Sequence, residues 1–103
     1  MTSFGGVMSQ IPHILAHHKG DNVAVVVVEG ITAGQNLVGV CLDDNSDFQV
    51  TCNHDIPIGH KVALKVLKPG DDAIKYGEVI GRIVADIAVG DHVHTQNLKT
   101  KRW

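Results

Sequence analysis

Three times along the chain an apolar residue, a glycine and a second apolar residue recur at intervals of three. The copies are Ile31-Thr32-Ala33-Gly34-Gln35-Asn36-Leu37, Leu67-Lys68-Pro69-Gly70-Asp71-Asp72-Ala73 and Ile87-Ala88-Val89-Gly90-Asp91-His92-Val93. Each places a Gly-centred turn between two extended segments. Gly followed by Asp suits the positive φ that tight turns often need. Turns this frequent leave room only for short strands, so the pattern predicts a mainly β fold. The apolar content agrees: Val, Ile, Leu and Ala carry it, while aromatics supply 4%, and β-branched residues favour strands.

The strands can be placed from local patterning. Ile14-Leu15 and Val23 to Val28 read as two strands joined by a turn at Lys19-Gly20-Asp21-Asn22. The second is apolar on both faces, which predicts burial on both sides. Leu37 to Leu42, the polar run Asp43 to Asp47, and Phe48 to Cys52 read as a hairpin. The acidic run lacks the downstream Gly and Glu of a calcium-binding EF-hand loop, so it reads as a hairpin tip. Val79 to Ile87 has helical composition, but Gly81 and the β-branched residues weigh against a helix. One or two short helical turns are expected, for instance around Asn53 to Ile58. The 103 residues suffice for one domain, read as 13–103 after a flexible leader over 1–12, in which Met8 is an alternative start.

A net charge of -2 gives no broad pull on nucleic acid or an anionic membrane. No apolar run approaches the roughly 20 residues of a membrane span, and the first residues lack the features of an export signal. Cys41 and Cys52 form no CxxC motif and are expected to be reduced thiols in a cytoplasmic protein. The basic ending from Lys99 to Trp103 reads as a solvated tail.

Chemistry gathers at His92-Val93-His94. On a strand, i and i+2 share a face, so two imidazoles there can converge on one metal ion or one anion. Asn97 supplies an amide nearby, and Asp91 is placed to orient one ring. Gly59-His60-Lys61 sets a titratable ring beside a cation, and Lys75-Tyr76-Gly77-Glu78 is a second polar cluster. His13, His17, His18 and His54 read as surface or packing residues.

Four segments in order carry a resemblance: Gly20 to Val25, Ile58 to Leu64, Ile74 to Gly81 and Gly90 to Asn97. Together they resemble the N-terminal domain of altronate and galactarate dehydratases and the separate small (alpha) subunit of (2R)-sulfolactate sulfo-lyase. The resemblance covers Ile14 to the end and implies a SAF-like β-clip. The ending Lys99-Thr100-Lys101-Arg102-Trp103 leans toward the sulfolactate branch. One departure stands out: where the family usually has a third His, this chain has Gln96. A strand would point Gln96 to the face of His92 and His94, able to hydrogen-bond substrate but not to replace an imidazole ligand.

The implied activity is β-elimination of water or sulfite from a hydroxy-carboxylate, a sugar acid or sulfolactate, in concert with a large catalytic subunit. The small chain is not expected to be active alone. His92, His94 and His60 are the catalytic candidates, with His92 and His94 facing a metal. Lys61, Lys75, Tyr76, Gln96 and Asn97 are the substrate-binding candidates. The implied cofactor is iron(II) or another divalent ion shared with the large subunit. Self-association is left open. A non-enzymatic sugar- or anion-binding module and a purely structural subunit are the other readings.

Overall fold

The computed structural model describes residues 11–100, and these are built from strands and turns. The order is β1 (Ile14–Ala16), β2 (Val23–Val26), β3 (Asn36–Cys41), β4 (Ser46–Thr51), β5 (Lys61–Ala63), β6 (Asp72–Lys75), β7 (Glu78–Ile83), β8 (His92–Val93) and β9 (Leu98–Thr100). Six form one sheet in the order β4-β3-β1-β2-β5-β8, and three form a second, β6-β7-β9. In the larger sheet β1 runs parallel to β3, and the other neighbours are antiparallel. The mainly β class holds. The leader expected over 1–12, with Met8, lies outside the described residues except for Ile11 and Pro12. Of the basic ending, only Lys99 and Thr100 are described. No helix among the described residues is long and apolar enough to cross a membrane.

The glycine repeat organises both cores, and the structure adds a fourth copy: Ile56-Pro57-Ile58-Gly59-His60-Lys61-Val62. The first residues of the copies pair across isolated bridges, Ile31 with Ile56 and Leu67 with Ile87. Ile31, Leu37, Ile56 and Val62 fall in one apolar cluster; Leu67, Ala73, Ile87 and Val93 fall in the other. In every copy the residue after glycine donates its N–H to the carbonyl two residues before glycine: Gln35 to Thr32, His60 to Pro57, Asp71 to Lys68 and Asp91 to Ala88. The glycines have φ between 87° and 98°, as a type II turn requires at its third residue.

Strand β2 is the wall shared by the two clusters. Ala24 and Val26 point into the first and Val23 into the second, because alternate side chains leave a strand on opposite faces. The predicted two-sided burial therefore holds at Val23 to Val26. The strand stops there, and Val27 is exposed. Beyond Val26 the backbone turns to meet neighbours, with Val27 N bonding His13 O and Gly59 N bonding Val26 O. The β3–β4 hairpin runs in one-to-one register from Asn36↔Thr51 to Cys41↔Ser46. Gly39 is bare there because the Phe48 ring of the opposite strand lies where a Cβ would stand. At the tip Asp44 accepts from Ser46 Oγ and N and lies 3.2 Å from Lys19 Nζ; the Ser46 bonds, with Lys19, hold its carboxyl at about 2.

No helical turn forms at Asn53 to Ile58. Pro57 disfavours the helical conformation at Ile56, which instead bridges to Ile31. Asn53 is drawn away by its side chain, whose amide donates to Val89 O and to Asp91 Oδ1. Both cysteines are buried free thiols.

Asp21 and Asn22 lock the second sheet onto the first, and both are buried. Asn22 Nδ2 donates to Asp72 O, and its Oδ1 accepts from Ile74 N. Asp21 accepts four backbone N–H groups, from His17, His18, Tyr76 and Gly77. Burial pushes the Asp21 carboxyl up, but these four donors outweigh it and hold it below the ordinary carboxylate range.

A candidate three-histidine centre

The register of β5 and β8 assembles the centre. Val62 lies opposite His92 and Lys61 opposite Val93. His60, two residues before Val62, shares its face, so His60 and His92 are diagonal neighbours across the strand pair. Their ring nitrogens, His60 Nδ1 and His92 Nε2, lie 2.8 Å apart. The chain then leaves β8 and folds His94 back over His60, with ring centroids 3.7 Å apart and planes 13° from parallel. One nitrogen from each of the three half-buried rings lies within 4.8 Å of the others.

The turn template explains why His60 is available. In three copies the side chain after glycine accepts from the N–H of the turn's second residue: Gln35 from Thr32, Asp71 from Lys68 and Asp91 from Ala88. In the fourth copy the second residue is Pro57, which has no N–H. The side chain at the acceptor position has nothing to satisfy there, and His60 turns outward to the other two rings.

Backbone ties hold the remaining pieces. Asn97 Oδ1 accepts from His94 N at 3.0 Å, and its Nδ2 donates to His92 O at 2.8 Å. Gln96 Nε2 lies 3.4 Å from both His92 O and His92 Nδ1. Because β8 ends at Val93, the turn over 94–97, not strand alternation, brings Gln96 there. His54 Nδ1 accepts from His92 N. Asp91, expected to orient one of the paired rings, is engaged by Ala88 N and Asn53 Nδ2; the imidazole it approaches is His54, at 3.9 Å.

Burial, then the neighbouring His60 and His94 rings with His54 and Lys61, holds His92 below its ordinary 6.5; burial, His60 and Lys61 do the same for His94. Both rings are thereby kept neutral near pH 7, the form that ligates metal or moves a proton. Lys61 is half-buried, and burial followed by the charge of Lys75 lowers its ammonium below the usual range.

Lys75 and Tyr76 occupy the β6–β7 tip. Tyr76 has φ 59°, and its ring stacks on His17 at 3.5 Å with Lys75 Nζ 4.7 Å from the ring centroid. His17 is therefore organised by a partner that sequence reading did not assign, since nothing local links positions 17 and 76. His13 plays a packing role: its Nδ1 accepts from Val38 N. A cavity of about 390 Å³ lies beside the β3–β4 hairpin, lined by Ala16, Cys41, Phe48, Val50 and Leu64 among others, and another of about 520 Å³ beside Arg82 and Lys99. Neither includes the three imidazoles, so the centre is an open surface site.

Comparison with known proteins gives a coherent set. A model of the altronate/galactarate dehydratase SAF domain matches residues 12–101. The (2R)-sulfolactate sulfo-lyase subunit alpha of Paracoccus pantotrophus is 66% identical over 67 residues, which is 65% of this chain and 100% of the relative. The same subunit of Chromohalobacter salexigens is 47% identical over 89 residues, 86% of this chain and 95% of the relative. The altronate dehydratase of Bacillus subtilis is 38% identical over 85 residues, 81% of this chain but 15% of the relative.

Proposed function

The chain belongs to the altronate/galactarate dehydratase SAF-domain family, and from that premise we propose how it works: as the small subunit of a lyase that removes water or sulfite from a hydroxy-carboxylate beside a separate large catalytic subunit. The observation that carries the reading is one of extent. The two sulfo-lyase alpha subunits are matched over 100% and 95% of their own length, whereas altronate dehydratase devotes 15% of its chain to the same domain. The small chain corresponds to a whole subunit in one case and to part of a larger enzyme in the other. The higher identity to the alpha subunits favours sulfolactate, with sulfite as the leaving group. A cytoplasmic location accords with two free buried thiols.

The three imidazoles suit a divalent metal, iron(II) by family. Two imidazole nitrogens bound to one such ion at about 2.0–2.1 Å lie roughly 3–4 Å apart, and the observed spacing runs from 2.8 Å to a limit of 4.8 Å. His60, His92 and His94 would hold it, leaving its outer side to the large subunit and substrate. Bound there, the ion supplies a Lewis acid for the negative charge that develops beside the carboxylate during elimination. Between His60 Nδ1 and His92 Nε2 there is room for one proton, so the pair passes a proton at that point as a single unit. Asn97 fixes the loop so that His94 stays stacked on His60. Gln96 offers an amide beside His92, within reach of a bound hydroxy acid.

The test is reconstitution. Small and large chains are mixed and elimination is followed with sulfolactate, altronate and galactarate, with wild-type small chain and with His60, His92 and His94 each changed to Ala. Turnover that needs the small chain and falls in each variant, with assembly intact, is the expected result. Full turnover by the large chain alone, or by the variants, refutes the reading. Calorimetric titration of the small chain with manganese(II) or iron(II) tests the metal assignment separately.

A further inference from the structure

Lys61 and His60 are adjacent in sequence and leave β5 on opposite faces. His60 goes to the imidazole centre. Lys61 takes the face of Ala63 and Val93, in the second apolar cluster, where β6 crosses β2. Its backbone lies between Val25 on β2 and Val93 on β8. The charge it feels there is that of Lys75. Among the described residues, neither lysine has a carboxylate within ion-pair distance, whereas Lys19 and Lys68 have Asp44 and Asp86. A half-buried lysine facing a second lysine without a counter-charge is unfavourable by itself.

The wall beside this corner is built rigidly. Tyr76 is a non-glycine residue held in the left-handed region, a conformation that persists only where the surroundings impose it. Here Asp21 imposes it by accepting both Tyr76 N and Gly77 N. The Tyr76 ring is clamped between His17 and the Lys75 ammonium, which fixes where Lys75 can reach. Strain, a clamp and two unpaired like charges meet at one place.

We infer that Lys61 and Lys75, with Tyr76 and His17 as their wall, form an anion-binding site on the opposite face of β5 from the three-histidine centre, and that it takes a carboxylate or sulfonate group. This rests on the reading of the chain as part of a hydroxy-acid lyase for the identity of the acid, but not for the binding itself. Two ammonium groups suit the three-oxygen face of a sulfonate or the two oxygens of a carboxylate by charge-assisted hydrogen bonds. Tyr76 and His17 contribute position rather than charge.

The test uses the small chain alone and two probes, sodium methanesulfonate and sodium acetate, against sodium chloride at matched ionic strength. Lysine side-chain NMR signals and thermal midpoints are recorded for wild type, Lys61→Gln, Lys75→Gln and, as a control, Lys68→Gln. The expected result is saturable movement of the Lys61 and Lys75 signals. Affinity should fall roughly 10- to 100-fold in either variant, the loss of one charge-assisted hydrogen bond, and stay unchanged in the control. Without added anion, Lys61→Gln should melt no lower than wild type, because it relieves repulsion; a merely structural lysine would lower the midpoint. The better-bound probe identifies the group. Equal movement of all lysines, or unchanged affinity in Lys61→Gln, overturns the inference. Turnover of the reconstituted complex decides the lyase reading independently, so either can fail without the other.

Discussion

The four equivalent glycine turns allow one substitution to be compared against itself. Gly34, Gly59, Gly70 and Gly90 have φ of 87°, 87°, 98° and 91°, so alanine at any of them incurs the left-handed penalty of about 1–2 kcal/mol. They differ in what a methyl group would meet. At Gly34, Gly59 and Gly70 the space is open; at Gly90 the new Cβ would lie on the carbonyl oxygen of Thr51. That oxygen cannot swing aside cheaply. Gly90 is fixed on both sides, with its N–H on Ala63 O and its carbonyl accepting from Asn53 N. Relieving the overlap means breaking one of these bonds or displacing the end of β4, for a further ~1–3 kcal/mol. Gly34→Ala and Gly70→Ala should thus lose about 1–2 kcal/mol, a fall in melting temperature of roughly 4–15 °C. Gly90→Ala should lose about 2–5 kcal/mol. Urea unfolding of the four variants in one buffer gives the comparison. Equal losses at all four positions would refute the account of Gly90.

Three further outcomes follow from the same contacts. Asp21→Ala strands four backbone donors and should destabilise by about 3–5 kcal/mol, with Asp21→Asn intermediate; urea midpoints check this, and a loss under 1 kcal/mol would contradict the proposed lock. His92 and His94 are held below 6.5 when folded and return to about 6.5 on unfolding, so the unfolded chain binds protons first. Metal-free stability should then be flat above about pH 7 and decline as pH falls below 6.5, a slope that His92→Asn with His94→Asn should flatten in urea melts from pH 8 to 5. Pro57→Ala restores the N–H that the other turns satisfy and offers His60 a competing partner. Manganese(II) affinity should fall by roughly 10-fold, and an unchanged titration would sink the explanation of why His60 is free.

Much of the architecture was legible because turns are local. Three copies of the repeat could be read from Gly with its flanking apolar residues, and the β3–β4 hairpin from its polar tip. The fourth copy is concealed by Pro57 and His60, which replace the donor and acceptor that mark the others. The helical turn expected near 53–58 fails through Pro57 and the long reach of Asn53. His92 and His94 stand out by spacing, yet their meeting with His60 depends on the β5–β8 register, which no local pattern records. The pairing of His17 with Tyr76 is equally distant and rests on the buried Asp21, whose role appears only when its four donors are in place.

The register that joins His60 to His92 also has a kinetic side. Between them the chain must complete the Leu67–Ile87 bridge and the β6–β7 hairpin before β8 can return to β5. Closing so long an interval is entropically slow compared with forming the hairpins inside it. The three rings therefore come together late, after the second cluster has formed. A partner chain that docks on the assembled rings selects copies whose folding is finished, and leaves incomplete ones unengaged. Subunit assembly then serves as its own quality control.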